Sequence, residues 1–200
     1  MLAKLGTDPR QQHGKLERLG DVVVGTGVEA EVNFRSRTLE LYASYAYIDA
    51  VFRDALLLGS NSPFADSDGN VQVLPGNRIP AIPASRFKAG FNYAVTDAFK
   101  VGGDVMVVGS QYFVGDESNQ APKLPAYTVV NLHSSYQINK TFQVYARIDN
   151  LFDNHYGTYG TFFETDALPN FANGGAPFTD ARSISPARPR AFYAGLKATF

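Results

Sequence analysis

The sequence contains no cysteine and no tryptophan, and only 2 of its 200 residues are methionine. The lack of cysteine excludes disulfide bonds, thiolate metal ligands and cysteine nucleophiles. A run of about 18 apolar residues is also missing, which excludes a transmembrane helix. The formal net charge of −1 creates no field that would attract a polyanion, so a nucleic-acid partner is not expected.

Aromatic residues are abundant instead, with 15 phenylalanines and 11 tyrosines. Hydrophobic residues make up 44% of the chain, which is enough to build a core and argues against disorder. Phenylalanine and tyrosine favour β-strands over helices. The composition therefore indicates an all-β protein.

Seven segments alternate between apolar and polar residues, as strands with one face of each kind do. They are residues 22–34, 39–47, 87–95, 99–110, 127–138, 142–149 and 188–200. Residues 1–21 are polar without a period and are predicted to form a loop. The sequence therefore predicts seven antiparallel strands that follow one another as a meander.

The connections between these strands are of two kinds. Short turns are predicted at 35–37, 96–98 and 139–141, whereas long loops follow residues 52, 113 and 152. Transmembrane β-barrels have this asymmetry, with short periplasmic turns and long extracellular loops. We therefore predict an antiparallel transmembrane β-barrel segment.

Aromatic residues of the apolar face cluster at the short-turn ends of the strands. They are Phe34, Tyr93, Phe99, Tyr136, Phe142 and Phe200. A membrane–water interface selects such a girdle because an amphipathic ring fits there. We predict that these residues mark one boundary of the membrane.

The opposite face carries charges of both signs. The predicted lumen-facing residues are Glu29, Glu31, Lys88, Lys100, Asp104, Arg147, Asp149 and Lys197. In a dry core each charge would cost several kcal/mol unless it were paired. We therefore assign this face to a wet lumen and the apolar face to lipid; for any one charge, bracing of the wall is a simpler role than ligand binding.

Several sequence blocks resemble the late barrel of TonB-dependent outer-membrane receptors. They are 76–83 (GNRIPAIP), 124–132 (LPAYTVVNL), 149–156 (DNLFDNHY) and 188–190 (RPR) before the final strand. The resemblance covers about residues 22–200 and implies a Gram-negative outer membrane and a ligand-gated importer, typically of iron chelates, cobalamin or sugars. It also implies that the terminal aromatic strand is read by the barrel-assembly machinery.

The family barrel has about 22 strands, three times the number predicted here. The family's N-terminal plug and its energy-coupling motif have no counterpart in this sequence, and residues 1–5 do not resemble a signal peptide. We therefore expect a polar segment at 1–21 followed by the C-terminal part of a receptor barrel at 22–200. TonB would act only through the missing plug.

No catalytic constellation, metal site or cofactor motif is recognisable, so an enzyme is not expected. The three histidines, His13, His133 and His155, stand far apart without neighbouring carboxylate pairs. If the chain touches a ligand, the best candidates are the aromatic residues of the last long loop. They are Tyr156, Tyr159, Phe162, Phe163, Phe171 and Phe178. That these rings pack the loop against its neighbours is at least as good an interpretation.

Two other interpretations remain open at this stage. A self-contained small outer-membrane barrel would need an eighth strand within residues 1–21. A soluble β-barrel carrier would place its apolar face inside and its charges outside. The aromatic girdle argues against the carrier.

Overall fold

The structure, a computed structural model, describes residues 2–5, 22–167 and 169–200. Within these ranges the chain forms β1 (Leu2–Leu5), β2 (Val22–Arg35), β3 (Leu39–Phe52), β4 (Leu56–Gly59), β5 (Asn70–Val73), β6 (Ser85–Ala94), β7 (Phe99–Val108), β8 (Tyr127–Gln137), β9 (Phe142–Asp149), β10 (Gly157–Phe162), a 3₁₀ helix (Phe171–Asn173), β11 (Arg182–Pro186) and β12 (Ala191–Ala198). Eight strands form one antiparallel sheet in the order β1-β2-β3-β6-β7-β8-β9-β12. The pairs β4–β5 and β10–β11 form two separate hairpins.

The seven strands predicted from alternation are confirmed, each within a few residues of its expected position. Each pairs with its neighbour along the chain or across a long loop, so the sheet is the meander that the sequence predicts. The antiparallel all-β fold is therefore the one expected.

The strand β1 was not predicted, because the interpretation of residues 1–21 as a loop included it. Its four residues pair with residues 30–33 of β2. A segment this short shows no recognisable period. The rest of that expected loop, residues 6–21, lies outside the described residues.

With β1 the sheet has the eight strands that a small closed barrel would need. In the described ranges, however, β1 pairs only with β2, and β12 pairs only with β9. The sheet is therefore open, and these residues do not form a closed eight-stranded barrel.

A polar side chain closes each short turn. The Ser36 Oγ accepts a hydrogen bond from Leu39 N at 3.1 Å, and the Thr96 Oγ1 accepts one from Phe99 N at 2.9 Å. The Asn139 Oδ1 accepts hydrogen bonds from the backbone N–H groups of Thr141 and Phe142, each at 2.9 Å. Such local side-chain acceptors favour turns over continued strand, which explains why the chain reverses at these points.

The register places the predicted apolar residues opposite one another across the sheet. One continuous row of direct partners is Phe34, Leu41, Phe91, Gly103, Leu132, Ile148 and Phe192. Several large side chains of this face are exposed, including Phe34 at 44%, Leu41 at 42% and Phe192 at 69%. An exposed apolar face of this extent is what a lipid-facing surface requires.

The well-buried apolar residues lie at the long-loop end of the sheet. Three long loops meet there, and we call residues 53–84, 109–126 and 150–190 the first, second and third long loops. Phe113, Ala121 and Leu124 of the second loop form a cluster with Phe162 of the third. We call the three loops together the loop cap. The apolar core of the described residues is thus built largely by connections, not by the sheet.

Candidate functional site

The register places the predicted lumen-facing charges on the face opposite the apolar row. One row of direct partners on this polar face is Arg35, Glu40, Asn92, Gly102, His133, Arg147 and Tyr193. The neighbouring rows contain Glu31 opposite Ser44, Lys88 opposite Met106, and Gln143 opposite Lys197. Their common face agrees with the prediction; their exposure to a lumen stays a prediction.

Hydrogen bonds link polar side chains of this face, some between strands and one within β9. The Asn92 Nδ2 donates to Glu40 Oε2 at 3.1 Å, and the His133 Nε2 donates to Asn92 Oδ1 at 2.9 Å. Asn131 Nδ2 donates to Asp104 Oδ2 at 2.9 Å, and Arg147 pairs with Asp149. These contacts brace the wall, which is the simpler of the two roles considered for its charges.

A groove of about 560 Å³ runs along the polar face near its long-loop end. Glu29 and Glu31 of β2 form one wall, and Arg86 and Lys88 of β6 form the other. Ser44 of the intervening strand β3 lies between them. Because two strand spacings separate the walls by about 10 Å, acidic and basic side chains face each other across an open floor.

Three rings of the polar face lie over glycines on the adjacent strand. Tyr42 lies over Gly90, His133 over Gly102, and Tyr145 over Gly195, in each case against its direct cross-strand partner. A Cβ atom at any of these glycines would collide with the ring. The glycines are therefore needed for the close approach of the ring, which also fixes the register.

Three of the four sequence blocks that resemble the receptor family meet at the long-loop ends of β8, β9 and β12. Asn150, which is 3% exposed, donates from its backbone N–H to Asn131 Oδ1 at 3.0 Å and from Nδ2 to the Arg188 carbonyl at 3.3 Å. The Asp153 carboxylate accepts from Arg190 N at 2.9 Å. Residues 150–153 directly follow β9 and begin the third long loop, and they join three strands.

The fourth block extends the sheet at the end of β3. Ile79 N donates to the Ala50 carbonyl at 3.0 Å, and Phe52 N donates to the Asn77 carbonyl at 2.9 Å. The Arg78 guanidinium donates to Asp49 Oδ1 at 2.9 Å. This block therefore ties the first long loop to its own strand.

The six aromatic residues proposed as ligand contacts have different surroundings. Phe162 is 7% exposed and packs on Phe113 with ring centroids 5.5 Å apart, so its ring is not available at the surface. Tyr156 stacks on Tyr127 at 4.1 Å. Phe162 thus packs within the cap and Tyr156 packs against the start of β8, in line with the alternative interpretation.

The remaining members lie towards the outside of the third loop. Phe163 and Phe178 pack edge to face at 5.4 Å. Tyr159 is 43% exposed and Phe171 is 88% exposed on the 3₁₀ helix. Phe171 and Tyr159 are thus the rings that remain free to contact a ligand; such contact stays a prediction.

Asp116 in the second long loop is a fully buried carboxylate. Its Oδ1 accepts from Gln120 N at 2.9 Å and its Oδ2 from Ala121 N at 3.0 Å. Burial raises the pKa of Asp116, these hydrogen bonds oppose that rise, and neighbouring Glu117 adds to it. By contrast, hydrogen bonds from exposed Arg182 lower the pKa of Asp180 to about 2.

We expect the second long loop to become less stable as pH rises from about 4 to 7. A carboxyl group with a raised pKa in the folded state binds its proton more tightly there than in the unfolded chain, so folding is favoured at lower pH. Hydrogen exchange of residues 109–126, corrected for intrinsic rates, should therefore be faster at pH 7 than at pH 4. Asp180 contributes little, because its paired form is lost only as pH falls towards 2.

The control for this experiment is Asp116→Asn, which removes the titrating group. The variant should show the same protection at both pH values. Equal protection of the natural protein at pH 4 and pH 7, or greater protection at pH 7, would contradict the expectation.

The sequence analysis did not identify the residues that hold the loops together. Phe113, Asp116 and Asn119 lie in a connection without a recognisable period, and only the glycine and proline content marked it as a loop. Asn119 has a positive φ of 60°, a conformation that asparagine adopts more readily than most residues. Its residue type was therefore the one weak indication of a turn here. Their importance is visible only in three dimensions.

In the part of the chain that the structure describes, no three histidine, aspartate or glutamate side chains are grouped to hold a metal ion. In the same residues, no helix has the length and apolar character needed to cross a membrane.

Comparison with known families gives one match. The family described as "TonB dependent receptor-like, beta-barrel" matches residues 5–151. This range includes six strands of the main sheet, in whole or in large part, and the first two long loops.

Several solved structures share the fold. The siderophore receptor PiuA from Acinetobacter baumannii is 19% identical with a TM-score of 0.64, covering 86% of this chain and 21% of that receptor. The ferric yersiniabactin uptake receptor FyuA from Yersinia pestis is 19% identical with a TM-score of 0.63, covering 87% and 23%. The ferric-catecholate import receptor Fiu from E. coli K12 is 20% identical with a TM-score of 0.59, covering 87% and 20%.

The chain thus spans between 20% and 23% of the length of these three receptors. At this level of identity the likeness concerns the fold of the sheet and its connections.

Proposed function

The chain belongs to the TonB-dependent receptor β-barrel family, and from that premise we propose that it forms part of an outer-membrane receptor wall. The receptor takes up a scarce ligand, such as an iron–siderophore complex, with energy supplied through TonB. The observation that carries the proposal is the two-faced sheet, apolar on one side and charged on the other, in a chain of this family. The role is that of a transport receptor and not of an enzyme.

From the apolar and polar faces of the main sheet we infer the surroundings of each part of the chain. Exposed Phe34, Leu41 and Phe192 face the lipid of the outer membrane, and the groove between Glu29 and Arg86 lines the lumen. The loop cap then lies on the extracellular side, and the turns closed by Ser36, Thr96 and Asn139 lie on the periplasmic side. The predicted girdle of aromatic residues marks the periplasmic boundary.

The edge strand β12 provides the contact with the assembly machinery. In the described residues its eight positions pair with β9 alone, so one edge is free to meet another strand. A free edge is not tolerated in lipid, so this edge pairs during or after assembly. We propose that the barrel-assembly machinery engages it there.

Uptake of radioactive iron tests the proposed function. Source cells that lack the coding region of this chain should take up ferric enterobactin or ferric yersiniabactin more slowly than the parent cells, and restoring the region should restore uptake. A TonB-deficient parent should show the same loss. Unchanged uptake of both complexes and unchanged growth under iron limitation would overturn the siderophore assignment.

A second prediction concerns the exposed rings of the third loop. Replacing both Phe171 and Tyr159 by alanine should weaken binding of the imported complex at least about tenfold, since each contact aromatic contributes about 1–2 kcal/mol and 1.4 kcal/mol is tenfold. The measurement is equilibrium binding of the iron complex to isolated outer membranes. The matched control is Ile138→Ala, because Ile138 is 53% exposed at the opposite end of the sheet. Equal effects of the two changes would remove these rings from the site.

A further inference from the structure

The second long loop contacts the first through a two-way hydrogen bond. Arg78 N donates to Asn119 Oδ1 at 2.5 Å, and Asn119 Nδ2 donates back to the Arg78 carbonyl at 2.9 Å. Ala81 N also donates to the Tyr112 carbonyl at 3.0 Å, and Ser60 Oγ donates to the Gly115 carbonyl. The first loop is thus held at three separate points.

The same loop contacts the third through backbone pairing and a ring contact. Val114 N donates to the Gly160 carbonyl and Phe162 N donates to the Val114 carbonyl, each at 2.9 Å. A Cβ atom at Gly160 would lie 2.5 Å from the Phe113 ring, so the second and third loops approach more closely here than any residue other than glycine would allow. The Gln111 Nε2 adds a hydrogen bond to the Thr158 carbonyl at 3.0 Å.

The two sets of contacts are separated by only a few residues of a tightly folded turn. The buried Asp116 carboxylate holds Gln120 and Ala121, and Asn119 N donates to the Asp116 carbonyl at 3.0 Å. Asp116 N donates in turn to the Phe113 carbonyl at 2.9 Å. These hydrogen bonds form a continuous path from Asn119 through Asp116 to Phe113, which is next to Val114.

We propose that the second long loop couples the first and third, so that the three loops open and close as one body. Asn119 and Val114 are then positioning residues, acting on the ligand-facing rings through the loops that they join. This inference rests on the proposed function, because the body positions Tyr159 and the segment that carries Phe171. It assigns a role in coupling to residues that lie away from the exposed rings.

Hydrogen exchange of the full chain in outer membranes, without any ligand, tests the coupling. Asn119→Ala removes the two hydrogen bonds to Arg78 of the first loop and one within the second loop, to the Asp116 carbonyl. Coupling predicts at least fivefold faster exchange in β10 and β11 as well as in residues 76–84. Faster exchange confined to 76–84 would overturn the proposal.

The reciprocal variant is Gly160→Leu, which separates the second and third loops. It should accelerate exchange in β4 and β5, which Gly160 does not touch. Exchange in β4 and β5 as slow as in the natural protein would overturn the proposal.

A reversible disulfide bond between the second and third loops provides a further test, which does not require Gly160→Leu to fold. The chain has no cysteine, so Val114→Cys with Thr161→Cys creates a single pair between residues that form a direct β-bridge. In the Asn119→Ala background, oxidation should restore slow exchange in β10 and β11 while residues 76–84 stay fast, and reduction should reverse this. No response of β10 and β11 to oxidation would overturn the proposal. Unchanged iron uptake in cells that lack the coding region, with intact coupling in the natural protein, would instead count against the proposed function alone.

Discussion

Replacing Phe113 by alanine is expected to lower the stability of the loop cap by about 3–5 kcal/mol, the usual cost of removing a buried phenylalanine. Phe113 is 2% exposed and contacts Phe162 and the backbone of Gly160. Truncation leaves a cavity between the second and third long loops, because their backbones are held in place by hydrogen bonds. The loss is measurable from hydrogen exchange of residues 109–126 and 157–162.

The matched control is Phe171→Ala. It removes the same atoms from a side chain that is 88% exposed, so stability should change by less than about 0.5 kcal/mol. If both substitutions had equally small effects on exchange, Phe113 would not hold the cap together.

Replacing Val144 by arginine is expected to destabilise the membrane-inserted protein by about 1–2 kcal/mol, because Val144 lies opposite the girdle residue Tyr136 and the cost of a lipid-facing cation falls from about 2–4 kcal/mol at mid-membrane to about 0–1 kcal/mol near the interface. Val144 is 38% exposed on the apolar face, directly opposite Tyr136 on one side and Leu196 on the other. Its environment offers no partner for a guanidinium. Denaturant unfolding of the protein in lipid vesicles gives the change in free energy.

The neighbouring substitution Gln143→Arg places the same side chain on the opposite face. Its direct partner is Lys197, so we expect a loss of less than about 1 kcal/mol from like-charge repulsion. Equal losses for the two substitutions would show that the apolar face does not meet lipid.

The main sheet could be predicted because its strands are long and have one apolar face. Phe87 to Val95 and Thr128 to Ile138 each repeat the alternation often enough to be unmistakable, and the short turns lie between them. The four residues of β1 could not be recognised in the same way. The hairpins β4–β5 and β10–β11 were also missed, because Leu56–Leu58 and the glycine-rich segment after Tyr156 do not alternate.

The candidate site was predictable only in part for a related reason. The face of a strand residue follows from its parity, so alternation alone predicts that Glu31, Lys88 and Arg147 share one side of the sheet; their exposure to a lumen stays a prediction. A loop has no such rule. Phe162 and Phe171 stand in similar sequence surroundings, yet one is buried against Phe113 and the other is exposed. That difference depends on the second long loop, which is distant in sequence.

The rings that lie over glycines on the polar face have a consequence for transport through the proposed lumen. Tyr42, His133 and Tyr145 each extend sideways along the sheet towards the neighbouring strand, so the ring occupies the space that a side chain at the partner position would fill. Replacing the glycine by a larger residue would force the ring to stand upright and project inwards. In the proposed lumen, the three glycines would let aromatic side chains lie along the wall, where they narrow the passage less than rings that project inwards.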